Sequence, residues 1–207
     1  YAESASDESE WINYFKNFRR NIFMKRNLNT NKMVLNALLL AIGAILHQIT
    51  PALGFPMQPD MALAMLFIII ILNKDDYKSC FVASIITGIF TAMTTKFPGG
   101  QLPNIIDKLV TFQITYILLT LLIKIKSINT LKSIKQNSLL MCIILPIGTL
   151  ISGTTFLTSA MFIVGLPTTF SALFLTIVVP TTFLNTACGM FLFKIILTSL
   201  KRSSLVN

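Results

Sequence analysis

Six apolar blocks, with most of the charge lying before, between and after them, constrain this chain more than any other feature. In lipid, every backbone N–H and C=O must find its partner inside the protein, so a long apolar run crosses a bilayer as a helix. The first block runs from about Met33 to Leu53 and is broken by Pro51, Gly54 and Pro56. The second, Met61 to Leu72, is short. It spans only if Pro59-Asp60 sits just outside the bilayer or in a protein-lined cavity. The third is about Ser79 to Thr95. The fourth begins at Pro103, which suits the first turn of a helix, and reaches about Ile125. The fifth is about Ser138 to Leu166, long enough to be tilted or to end in a loop lying on the membrane, and the sixth is about Phe170 to Leu197. The predicted fold is all-α, an integral membrane bundle of six transmembrane helices.

The charges agree with that count. Only 12% of residues are charged, against about 25% in soluble domains. Of the 17 Lys and Arg residues, all but Lys96 and Lys108 fall before the first span, in the second and fourth connections or at the span ends that lead into them (Lys124), or at and after the end of the last span (Lys194, Lys201, Arg202). With six spans those positions share one side, the cytoplasmic side by the positive-inside rule, so both termini are expected there. Dropping the weak second span would scatter the bases over both faces. The net charge of +9 would suggest nucleic acid in a soluble protein. Here the bases flank apolar spans and no recognition motif accompanies them, so they read as topology signals and contacts to anionic lipid.

The expected organisation is an N-terminal cytoplasmic extension over 1–32, a transmembrane domain over 33–200 and a cytoplasmic tail over 201–207. Residues 1–10 are acidic and polar, unlike a signal peptide. Trp11, Tyr14, Phe15, Phe18 and Ile22 have the spacing of an interfacial helix, but Met24-Lys25-Arg26 looks like a natural start. Residues 1–23 are therefore read either as such a helix or as a tag, leader or mis-start, and are set aside. Cys80, Cys142 and Cys188 lie singly in apolar segments, without metal-ligand spacing, and are read as small buried hydrophobes.

Enzyme chemistry finds no foothold. The chain has no phosphate-cradling G-x-x-x-x-G-K-[ST], no H-E-x-x-H and no G-x-S-x-G. No nucleophile–base pair can be assembled, and no cofactor is expected. His47 is the only histidine and reads first as a hydrogen-bonded packing residue.

What remains is a polar set on the outer side. Asp60 precedes the second span, and Lys96, Gln101, Asn104, Asp107 and Lys108 surround the entry to the fourth, flanked by Phe55 and Phe97. Ionisable groups at membrane depth are costly and point to function. An acid suits an ammonium, a base or helix N-terminus a carboxylate, and an amide a ring N–H, so the set suits a zwitterion with an apolar body. The plainer reading is that Asp60 pairs with Lys108, or Asp107 with Lys96, to tie the outer loops together. Within the spans, Ser152, Thr154, Thr155 and Thr182 are expected to bond their own backbone. Asn185 needs a partner in apolar surroundings and is the weaker candidate for the site. Ala37 with Ala41, Ser84 with Gly88, and Gly148 with Ser152 are small-xxx-small pairs that allow close helix packing.

From Met33 to about Leu200 the chain resembles the TrpP-type tryptophan transporters. The motifs that carry the resemblance are Ala37 to Gly43, Pro59-Asp60-Met61 and the long run from Thr94 to Lys108. Gly148 to Gly153, Val164-Gly165-Leu166-Pro167, Val179-Pro180 and Leu184-Asn185-Thr186 follow in order. The resemblance implies the six-helix fold of a substrate-binding (S) component of energy-coupling factor transporters in a bacterial cell membrane. It implies tryptophan as solute, with a transmembrane coupling protein and two cytoplasmic ATPases as partners. It also gives Ala37 and Ala41 a second meaning, as a face offered to the coupling protein. The expected substrate-binding residues are Asp60, Gln101, Asn104, Asp107, Lys108 and Asn185. Two other functions stay open: a self-sufficient transporter driven by an ion gradient, with Asp60 and Asp107 as coupling residues, and a non-transporting membrane protein.

Overall fold

The computed structural model describes residues 30–51 and 59–202. The aromatic-basic segment before Thr30, Phe55 and the last five residues lie outside that range. The chain divides into two units, 1–38 and 39–207; of the first, only the opening turns of one helix are described.

Every regular element described is helical. Helix α1 is Thr30–Ile49, α2 Met61–Leu72, α3 Tyr77–Thr94 and α4 Gln101–Lys124. After a single turn at Lys126–Asn129 come α5, Ser133–Ile163, and α6, Phe170–Arg202, which contains a π-helical turn at Phe174–Val178. Five of these helices are long and apolar enough to cross a membrane, and α2 is the shorter sixth. The expected all-α membrane bundle is therefore found. Its helices run a few residues beyond the apolar blocks: α5 begins at Ser133, not Ser138, and α6 continues to Arg202. Helical hydrogen bonding continues into the polar flanks, where hydropathy gives no signal.

The short helix sits inside. α2 has 12 residues, about 18 Å, against a bilayer core of about 30 Å. All its residues from Met61 to Ile71 are buried, and it contacts α3, α4, α5 and α6. A helix apolar all round belongs within protein. Its N-terminus opens into a protein-lined cavity, so Pro59-Asp60 meets the second of the two conditions set by its length. Asp60 caps it, with Oδ1 accepting the Leu63 N–H at 2.9 Å. Asp76 caps α3 in the same way, through the Ser79 N–H at 3.1 Å.

Hydrogen bonds sort the connections into two ends. At one, Lys74 between α2 and α3 donates to the Gln136 side-chain oxygen of α5 at 2.5 Å, and Gln136 donates to the Ile128 carbonyl at 3.2 Å. The Tyr116 hydroxyl donates to the Lys74 carbonyl at 2.9 Å. At the other, Lys96 between α3 and α4 donates to the Thr50 carbonyl at 2.6 Å, and Phe97 meets Phe156 of α5 edge-on at 5.4 Å. Gly99, at φ 70°, turns the chain into α4, and a Cβ there would stand 2.7 Å from Val164 after α5. The second and fourth connections thus share one end, as the charge pattern requires.

Of the cysteines only Cys80 is buried; Cys142 and Cys188 are exposed. The expectation of three buried thiols fails because α5 and α6 present those positions on outward faces, where an apolar residue is equally at home in lipid. Ala37 and Ala41 are likewise exposed.

Candidate functional site

The end opposite the Lys74 cluster holds a buried charge cluster assembled from five helices. Asp60, capping α2, places Oδ2 at 2.6 Å from Lys108 Nζ of α4. Its Oδ1 lies 3.3 Å from His47 Nδ1 of α1. Its backbone N–H donates to Asn185 Oδ1 of α6 at 3.0 Å. Lys108 Nζ also reaches Asp107 Oδ2 at 2.5 Å. Asp107 then accepts the Thr111 hydroxyl at 2.8 Å on Oδ1 and the Ser152 hydroxyl of α5 at 2.8 Å on Oδ2.

Burial makes this arrangement costly to disturb. Asp107 and Lys108 are each 1% exposed. Taking charges out of water costs several kcal/mol per ion, repaid only by close pairing and further hydrogen bonds. Lys108 is shared by two carboxylates, and Asp107 has two hydroxyl donors besides. The fourth charge is Lys96, which is exposed yet lines the same cavity. Two carboxylates and two ammoniums therefore face one space, with His47 beside them.

That space measures about 60 Å³, room for only a few waters. One wall is polar: His47, Asp60, Lys96, Asn104, Asp107, Lys108 and Asn185. The other includes Phe97, Phe156 and Val178. The π turn in α6 brings Val178, Thr181 and Asn185 to the lining; one extra residue in a turn shifts the face of all that follows. Gly153 of α5 lines the cavity too, and a Cβ there would run into Val178.

Five of the six residues expected at the site meet here: Asp60, Asn104, Asp107, Lys108 and Asn185. Gln101 does not line the cavity. It shares a face with Asn104 and Lys108 but opens α4 a turn further out, where it is exposed. The Asp60–Lys108 pair of the plainer reading is present. Asp107 pairs with Lys108 in place of Lys96, because adjacent residues on α4 meet over Asp60. Asn104 spends an N–H on the Gly100 carbonyl at 2.8 Å. Thr154 and Thr182 bond their own helices as expected, to Leu150 at 2.6 Å and Val178 at 2.7 Å. Ser152 does not; its hydroxyl serves Asp107. His47 and Ser152 are thus the residues sequence reasoning undervalued. Only their partners distinguish them, and those lie 13 and 45 positions away.

An all-helical membrane bundle with a paired, buried charge cluster beside an aromatic wall has the make-up of a membrane transporter for a small polar solute. The comparisons with known proteins say which kind. The family model for the tryptophan transporter TrpP matches residues 29–201. A probable tryptophan transport protein of Clostridium perfringens is 57% identical over 178 residues, covering 86% of this chain and 97% of that relative. One from Clostridium acetobutylicum is 45% identical (84% and 96% covered), and one from Bacillus subtilis 40% identical (87% and 98% covered). The chain belongs to the TrpP tryptophan transporter family. No solved structure matches it.

Proposed function

We propose that this chain is the substrate-binding component of a tryptophan importer of the bacterial cell membrane, energised by a separate ATPase module. The observation that carries the reading is the balanced set of Asp60, Asp107, Lys96 and Lys108 facing one cavity beside Phe97 and Phe156. Lys108 is held between two carboxylates and positions them. Among the described residues Lys96 meets only the Thr50 carbonyl, so it is the cation free to take the substrate carboxylate. Asp60, the less buried acid, takes the ammonium, with Asp107 holding Lys108 beside it. The amide of Asn104 or Asn185 meets the indole N–H, and the rings of Phe97 and Phe156 pack against the indole. Ligand pockets typically measure about 300–1,000 Å³, so a cavity of about 60 Å³ must widen to admit an indole amino acid. Movement of the α3–α4 connection, which carries Lys96, Phe97 and Gly99, is the route. Gln101, at the rim, meets the solute on entry.

The basic end of the bundle, with both chain termini, lies in the cytoplasm. There the module consists of a transmembrane coupling protein and two ATPases, and the exposed Ala37 and Ala41 face of α1 receives the coupling protein. One observation favours a second reading, ion-coupled transport: His47, Asp60, Lys108 and Asp107 form an unbroken series of titratable groups. Uptake of labelled tryptophan by cells expressing the chain separates the two. The proposal expects uptake to stop when ATP is depleted and to survive a protonophore while ATP is held constant. Uptake that collapses with the protonophore alone would establish the second reading.

A further inference from the structure

At the basic end a second hollow has no part in this account. Between α5 and α6 lies a groove of about 500 Å³, lined by Ile134 and Ser138 of α5 and by Phe191, Lys194, Leu197 and Thr198 of α6. Its hydroxyls are already engaged by their own helices: Ser138 donates to the Ile134 carbonyl at 2.9 Å, and Thr198 to the Lys194 carbonyl at 2.8 Å. What the groove offers an occupant is apolar wall plus one ammonium.

Among the described residues that ammonium has no ion-pair partner. The ion pairs of the described residues are confined to His47, Asp60, Asp107 and Lys108, at the other end. No acidic residue follows Asp107 in the sequence, so neither α5 nor α6 can supply one. At the rim stand Lys132 and Lys135 at the start of α5, and Lys201 and Arg202 at the end of α6, all exposed. Lys194 sits eight residues before Arg202, about 12 Å along the axis. A lysine at that depth extends its head toward the interface along an apolar stem.

We infer that this groove binds one anionic phospholipid, with an acyl chain along the apolar slot and the phosphate at Lys194 and the basic rim. A water-soluble anion has no use for the slot. A zwitterionic lipid brings a cation that the lysines and arginine of this rim repel.

The test is native mass spectrometry of the full chain released from nanodiscs containing equal phosphatidylglycerol and phosphatidylcholine. Wild type should retain phosphatidylglycerol about fivefold over phosphatidylcholine. Lys194→Gln should erase that preference, and so should Thr198→Glu, which sets an acid one helical turn from Lys194. Ser138→Phe, which fills the slot, should lower retention of both lipids. Lys78→Gln, a base at the same end on α3, should change neither. Equal retention of the two lipids by wild type, or a preference that survives both Lys194→Gln and Thr198→Glu, would overturn the assignment. So would an equal loss in Lys78→Gln, or displacement of the bound lipid by inorganic phosphate.

Discussion

The two ends of the bundle handle buried polarity in opposite ways. At the cavity end, a lysine that is 1% exposed is clamped between two carboxylates, and the acids are held by hydroxyls and a capping N–H. At the basic end, Lys74 is half-buried and meets only neutral groups, Gln136 at 2.5 Å and Asn137 at 3.5 Å. The remaining bases described there, among them Lys78 on α3 and those of α5 and α6, are exposed. Neutral amides can tie connections together without the desolvation cost of an ion pair, so the basic end is built as a fastening. The cavity end carries charges that a fastening does not need, and charges can exchange a partner for a ligand. That difference is what the proposed placing of substrate binding at the cavity end rests on.

Substitutions can break or sharpen this contrast. Lys108→Met should have the largest effect, because it leaves Asp60 and Asp107 buried without their ammonium. Losing one partner of a buried pair costs about 3–5 kcal/mol, a large part of the stability of a typical domain. A large fall in Tm in detergent is expected, and an unchanged Tm would remove the contrast. Asn185→Leu should come next, at about 1–3 kcal/mol, since it strands the Asp60 N–H. It should lower both Tm and tryptophan affinity. Lys96→Gln should weaken tryptophan binding about tenfold, about 1.4 kcal/mol, while Tm stays put, because its ammonium holds only a carbonyl. If Tm falls and affinity does not, Lys96 is a fastening as well. Gln136→Leu, at the other end, should cost about 1 kcal/mol of stability and leave affinity unchanged.

The fold was legible because lipid imposes simple rules. Apolar runs and the placement of bases identify six helices without reference to tertiary contact. The short second block gave the sharpest reading: its length left two places for Pro59-Asp60, just outside the bilayer or in a protein-lined cavity, and Asp60 lines a cavity. Most of the site was legible for a related reason, since Asp60, Asp107 and Lys108 stand out against apolar surroundings. The parts that were not legible depend on long-range partners. Nothing near Ser152 distinguishes a serine that bonds its own helix from one that serves Asp107 across a helix interface. The same holds for His47, whose partner Asp60 lies beyond a helix end. Pairing of Asp107 with Lys108 in place of Lys96 depends on where Asp60 sits, which no local pattern encodes. The exposed positions of Cys142 and Cys188 were hidden because lipid-facing and core-facing surfaces are both apolar, so hydropathy does not separate them.

The most direct test of the central claim is a calorimetric titration of the purified chain with tryptophan, alongside its Asp107→Asn form. The account predicts saturable binding by the parent chain, with tyrosine and phenylalanine much weaker. Asp107→Asn should remain folded and bind about tenfold to a hundredfold more weakly, the loss of about 1.4–2.8 kcal/mol. Equal affinity in the two forms would contradict it, and would show that the Asp107–Lys108 pair takes no part in tryptophan recognition.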